Sequence, residues 1–125
     1  MKKSPKKTIN DFKLTVFFTL MWKKRPKYCQ QCGNFLPKFF TTICMDHLLS
    51  KSNYPEYKFA KSNIFFCCGD CHTAKTNGFI GNLHKEKKDW ATNNTHILEK
   101  EQKDFENKFN NIIKKIWQKD DLKQQ

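Results

Sequence analysis

Four of the six cysteines fall into two pairs, Cys29 and Cys32 in Tyr28-Cys-Gln-Gln-Cys-Gly33, and Cys68 and Cys71 in Cys68-Gly-Asp-Cys-His72. A two-residue spacing lets one tight turn aim both thiolates at the same ion, and two such turns complete a tetrahedral zinc site. The plain alternative is four buried free thiols, and the paired spacing argues against it. Cys44 and Cys67 lack that spacing and read as small buried residues. Between the pairs lie Asp46-His47 and Asn63, and His72 follows Cys71 directly. These side chains offer the oxygen and nitrogen donors that suit a hard catalytic ion. Neighbours on a helix point about 100° apart, so His72 should face away from the cysteine site and toward a second centre.

Several elements must position these groups. Residues 39–46 are rich in β-formers and read as a strand that delivers Asp46-His47 at its end. Residues 50–62, with Pro55 and several lysines, read as an exposed loop. A second short strand is expected from Asn63 to Cys67. One or two helical turns should follow from Cys71 to about Asn77, with Gly78 placed to end them. On this order of strand, long loop, strand and helix, Asp46, His47 and His72 should converge on one cleft with Asn63 at its edge. Farther on, Leu98, Phe105, Phe109, Ile112, Ile113, Ile116 and Trp117 recur at helical steps, predicting an amphipathic helix over 95–118. Residues 1–11 read as a loose basic arm. Residues 12–22 are too evenly apolar for a clean period and fit a short helix or a strand, with Pro26 breaking the chain after them.

The length of 125 residues suits one small domain with extensions. A core of that size is modest, and a structural metal would staple it. Lys and Arg number 24 against 12 Asp and Glu, a formal net charge of +12, which favours a polyanionic partner such as nucleic acid. Nine of the basic side chains lie in residues 1–27 beside the single acid Asp11. The apolar run before Trp22 lacks the small-residue cleavage site of a signal peptide and is too short to span a bilayer. The chain therefore reads as intracellular, with no membrane partner, and in that setting paired cysteines favour zinc over disulfides.

The ordered set Cys29-x-x-Cys32, Asp46-His47, Asn63 and Cys68-Gly-Asp-Cys-His72-Thr-Ala-Lys75 resembles the HNH endonuclease family, the ββα-metal (His-Me finger) nucleases. It looks most like the free-standing four-cysteine versions common in phages and mobile elements. The resemblance covers residues 28–78. It implies an α+β fold: a ββα-metal module stapled by a four-cysteine zinc site, between a basic extension (1–27) and a linker with a C-terminal helix (79–125). It further implies a metal-dependent DNA endonuclease that hydrolyses phosphodiester bonds in the cytoplasm of a bacterium or a phage-infected host. Zn²⁺ would be structural and Mg²⁺ or Mn²⁺ catalytic. Asp46 and His72 would ligate the catalytic ion, His47 would be the general base, and Asn63 would either ligate the ion or orient the base. Lys75 would contact a phosphate or stand solvated. Thr76 stands where some members carry a second metal-binding histidine. The competing function is a non-catalytic zinc module that binds nucleic acid. The chain is expected as a monomer, or as a homodimer through its C-terminal helix.

Overall fold

A two-stranded antiparallel sheet lies at the centre of four helices. The computed structural model describes residues 5–124, with side chains described for residues 9–118. The first helix, α1, spans Pro5–Lys24. Proline suits the first helical turn, where its missing N–H would have had no partner, and Pro26 disfavours helix at Arg25. The expected loose arm is thus corrected from residue 5 onward, while residues 1–4 lie outside the described part. Phe17, Phe18, Met21 and Trp22 of α1 are buried, at steps of one, three and one that keep them on one helix face.

The strands are shorter than the sequence suggests. β1 is Met45–His47 and β2 is Ile64–Phe66, paired Met45↔Phe66, Asp46↔Phe65 and His47↔Ile64. The β-forming run before β1 becomes a 3₁₀ turn at Thr42–Cys44, and Phe39, Phe40 and Ile43 are exposed. No third strand pairs with that run among the described residues, so its β-propensity has nothing to act on. The loop between the strands holds 3₁₀ turns at Pro55–Tyr57 and Lys61–Asn63. It first buries Leu48 and Leu49, is exposed over residues 50–56, and then buries Phe59 and Ala60.

After β2 comes α2, Gly69–Thr76, which starts two residues earlier than expected with Cys68 as its N-cap. Gly78 follows with φ +93°, a left-handed conformation that glycine adopts without penalty as a helix ends. The segment expected to be linker carries a third helix, α3, at Asn82–Asn93. Its polar sequence hides the helix, since only His84 and Ala91 are buried, seven residues or two turns apart.

The last helix, α4, spans Thr95–Gln124 and continues past the expected end. Its apolar face divides. Leu98, Phe105 and Phe109 are buried, and the two phenylalanines pack against α1, with Phe17–Phe105 centroids 5.0 Å apart and Phe12–Phe109 5.9 Å apart. Ile116 and Trp117 extend beyond the core and are exposed. The even apolarity of residues 12–22 follows from this arrangement: α1 packs on the loop through Phe17–Phe59 and on α4 through Phe17–Phe105.

Candidate functional site

The cysteine cluster is assembled from two short turns. The Sγ atoms of Cys29, Cys32, Cys68 and Cys71 all lie within 4.8 Å of one another. Cys32 Sγ and Cys68 Sγ are 3.7 Å apart. Zinc–sulfur bonds of about 2.3 Å would make the edge of a tetrahedron about 3.8 Å, so the thiols fit one ion such as zinc. Each turn is closed by its own hydrogen bond: the Cys32 N–H donates to Cys29 Sγ at 3.4 Å, and the Cys71 N–H to Cys68 Sγ at 3.5 Å. Burial pushes the Cys29 thiol up, but backbone N–H groups of Cys32, Cys68 and Gln31 outweigh it and bring the pKa to about 7, toward the thiolate a metal requires. Burial raises Cys71, as do the neighbouring thiols. Cys44 and Cys67 stand apart from the cluster and are buried. Burial raises both thiols, Cys67 to about 12.

The two glutamines inside the first turn reach outward. Gln30 clamps β2 through its N–H to the Phe66 carbonyl and its Oε1 to the Phe66 N–H, both 2.8 Å. Gln31 Oε1 accepts from the backbone N–H of His84 at 2.9 Å.

Asp46 and His47 line one open cleft of about 710 Å³ with Thr15, Phe18, Lys51 and Lys75. His47 is buried, its ring edge-on to Phe18 at 5.7 Å. Its Nε2–H donates to the Lys58 carbonyl at 2.9 Å. That bond fixes the tautomer, because a carbonyl only accepts, and leaves Nδ1 as the basic nitrogen. Burial lowers the imidazole pKa from 6.5, with the Lys58 carbonyl opposing and Lys51 and Lys75 adding to the fall. A neutral ring at neutral pH is the form that can take a proton.

Asp46 receives two donors on one oxygen. Lys75 Nζ from α2 and His84 Nε2 from α3, the latter at 3.2 Å, both meet Oδ2. Among the described residues no donor meets Oδ1. Burial opposes the carboxylate, yet the His84 and Lys75 hydrogen bonds outweigh it and hold the carboxyl below its ordinary range. Lys75 is thus paired with Asp46 while its side chain stays 30% exposed.

Asn63 and His72 stand outside the cleft lining. Asn63 is fully buried, with Oδ1 accepting from the Leu49 N–H at 2.8 Å. Its Nδ2 donates to the Leu49 and Tyr57 carbonyls, both at 3.1 Å. Both amide protons are used, and the side chain laces together the loop that presents the Lys58 carbonyl to His47. Asn63 thus ties Leu49 to Tyr57, next to Lys58, and does not line the cleft. His72 is half-buried and separate from the cysteine cluster. Its Nδ1 is buried without a hydrogen-bond partner, and such an atom calls for an ion or an ordered water. Thr76 turns its hydroxyl back to the His72 carbonyl at 3.0 Å.

Among the described residues only the four cysteines gather three or more metal-ligating groups; Asp46 offers a single carboxylate in the cleft, and the orphaned His72 nitrogen lies on a residue outside its lining. The Lys75 ammonium acts against a divalent ion in the cleft, since the ion and the lysine would compete for Asp46. Sequence reasoning misses His84 altogether. The available signal is Gly81 preceding a histidine–alanine spacing of two helical turns.

Compared with known proteins, no family model, no curated protein and no solved structure matches the chain. No helix among the described residues is long and apolar enough to cross a membrane.

Proposed function

We propose that the chain is an HNH-type DNA endonuclease that hydrolyses phosphodiester bonds with His47 as general base and one divalent ion at Asp46. The observation that carries the reading is the setting of His47. It sits beside a carboxylate in an open cleft, with Nε2 committed to the Lys58 carbonyl and Nδ1 left to accept a proton from water. Asn63 holds the Lys58 loop in place, and burial keeps the ring neutral. Asp46 offers the cleft a ligand of the kind Mg²⁺ or Mn²⁺ accepts, and the unpartnered Nδ1 of His72, outside the cleft lining, is the other candidate ligand. An ion bound there would polarise the phosphoryl oxygen and stabilise the departing 3′ oxygen. The four-cysteine site would take Zn²⁺ as a staple. The charge of +12 supports a DNA partner, because each phosphate contact made by a lysine or arginine releases counterions.

A second reading rests on Lys75. If its ammonium on Asp46 is a permanent ion pair, the chain is a zinc-stapled nucleic-acid-binding module without catalysis. Plasmid nicking with Mg²⁺, Mn²⁺ or chelator, run on wild type and His47→Ala, separates the two. The nuclease reading expects nicking that chelator abolishes and that His47→Ala lowers by about 10²–10⁴-fold, with zinc content and DNA affinity retained. Equal inertness of both proteins, with DNA binding intact, leaves the binding module. Equal nicking by both removes His47 as the base.

A further inference from the structure

His84 and Gln31 belong to neither metal-ligand set, yet together they join the cysteine turn to the acid of the cleft. α3 begins after Gly81, which has no side chain with which to cap it. A helix start exposes N–H groups that a cap must satisfy. Here the cap comes from elsewhere in the chain: Gln31 Oε1, inside the Cys29–Cys32 turn, accepts the His84 N–H at 2.9 Å across 53 residues. Space for that amide exists only because residue 81 is glycine, since a Cβ there would lie 2.1 Å from Gln31 Cδ.

The residue whose backbone is held in this way is the one that reaches Asp46. His84 is 3 % exposed, with its ring stacked on Phe65 at 4.3 Å between centroids and 21° between planes. Phe65 is the cross-strand partner of Asp46 in the sheet. From that seat His84 Nε2 donates to Asp46 Oδ2 at 3.2 Å. Backbone, ring face and ring nitrogen are thus all fixed, and the nitrogen meets the oxygen that also binds Lys75. Among the described residues no donor meets the other oxygen, and Asp46 lines the cleft.

We propose that Gln31 and His84 are positioning residues that orient Asp46 to take a divalent cation, so that the cysteine turn sets the acid of the cleft through the start of α3. The inference deepens the nuclease reading and rests on it for the ion. Its test is Mn²⁺ binding to the full-length, zinc-loaded chain, followed by calorimetry or paramagnetic resonance, with zinc content and thermal midpoint measured alongside. The variants are His84→Phe, which keeps a ring against Phe65 and removes the donor, His84→Gln, which restores a donor, Gln31→Ala, and Asp46→Asn as the reference for loss of the site. His84→Phe is expected to weaken Mn²⁺ binding by about 10–100-fold, as loss of a group that orients a metal ligand does, with zinc content unchanged. His84→Gln should recover much of that loss. Gln31→Ala should weaken binding in the same direction by a smaller factor.

Wild-type Mn²⁺ affinity in His84→Phe overturns the inference and leaves the nuclease reading standing. So does a His84→Gln chain that binds no better than His84→Phe, because the ring alone would then matter. A wild-type chain that binds Mn²⁺ no better than Asp46→Asn removes the ion site itself, and the inference falls with it.

Discussion

The cysteine cluster and the Asp46 cleft are built on different scales. Each half of the cluster is a turn of four residues with its own N–H···S bond, and one thiol, Cys32, is exposed to solvent. The cleft draws on five separate pieces of chain, α1 among them through Thr15 and Phe18. β1 supplies Asp46 and His47, the long loop supplies the Lys58 carbonyl, α2 supplies Lys75 and α3 supplies His84. A site made of local turns needs an ion and little else, whereas a site made of long-range contacts needs the whole fold in place. Damage to the first should therefore propagate to the second, and damage to the second should stay where it is made.

Removing the ion from the cluster tests that asymmetry most severely. Binding free energies of structural zinc in small modules are on the order of 10–16 kcal/mol, comparable to the entire stability of a small domain. A strong chelator, or Cys71→Ser, is expected to abolish cooperative thermal unfolding monitored by circular dichroism and to remove Mn²⁺ binding at the cleft. A chelated chain that keeps its native spectrum and transition would show that the thiols are a packing feature.

Asn63→Ala strikes the loop behind the cleft and leaves the cysteine cluster untouched. It strands the Leu49 N–H and the Leu49 and Tyr57 carbonyls in a buried loop, a loss of about 2–4 kcal/mol where buried groups are left unsatisfied. Zinc stoichiometry should stay at the wild-type value while denaturant midpoints fall and nicking drops with the loosened Lys58 carbonyl. Loss of zinc in this variant would contradict the one-way propagation.

Gly81→Ala should have the smallest effect and reports on the link between the two regions. The new methyl group displaces the Gln31 amide and costs α3 its cap, typically about 1 kcal/mol. The expected outcome is a small fall in thermal midpoint with full zinc content and weakened Mn²⁺ binding. Unchanged Mn²⁺ binding would leave the two regions mechanically independent.

The same difference in scale explains what the sequence discloses. Cysteine pairs, and an Asp-His dipeptide at a strand end, carry their geometry in their spacing, so both can be read from residues alone. The strands can be located to within a few positions, although Phe39, Phe40 and Ile43 suggest a longer one than the pairing allows. Asn63 stands out by its place in a motif, but its three hydrogen bonds depend on how a long loop folds back. His84 is invisible because it lies in a charged segment whose only buried residues are two turns apart. The helical fate of residues 12–22 is undecidable locally, since the run meets partners in the loop and in α4. The apolar stripe of α4 predicts the helix correctly but not that its last residues, Ile116 and Trp117, extend past the core.

The borrowed cap on α3 also orders events in time. A helix with its own capping side chain can nucleate from neighbours in sequence, whereas one that takes its cap from 53 residues upstream must wait for a long loop to close. Gln31 stays in reach of the His84 N–H only while the first cysteine turn is docked on the fold, where Gln30 holds it to Phe66. During folding, α3 should therefore gain protection from hydrogen exchange after that turn has docked, making it a late element. The acid cleft, completed by His84, would become competent last, once the staple is in place.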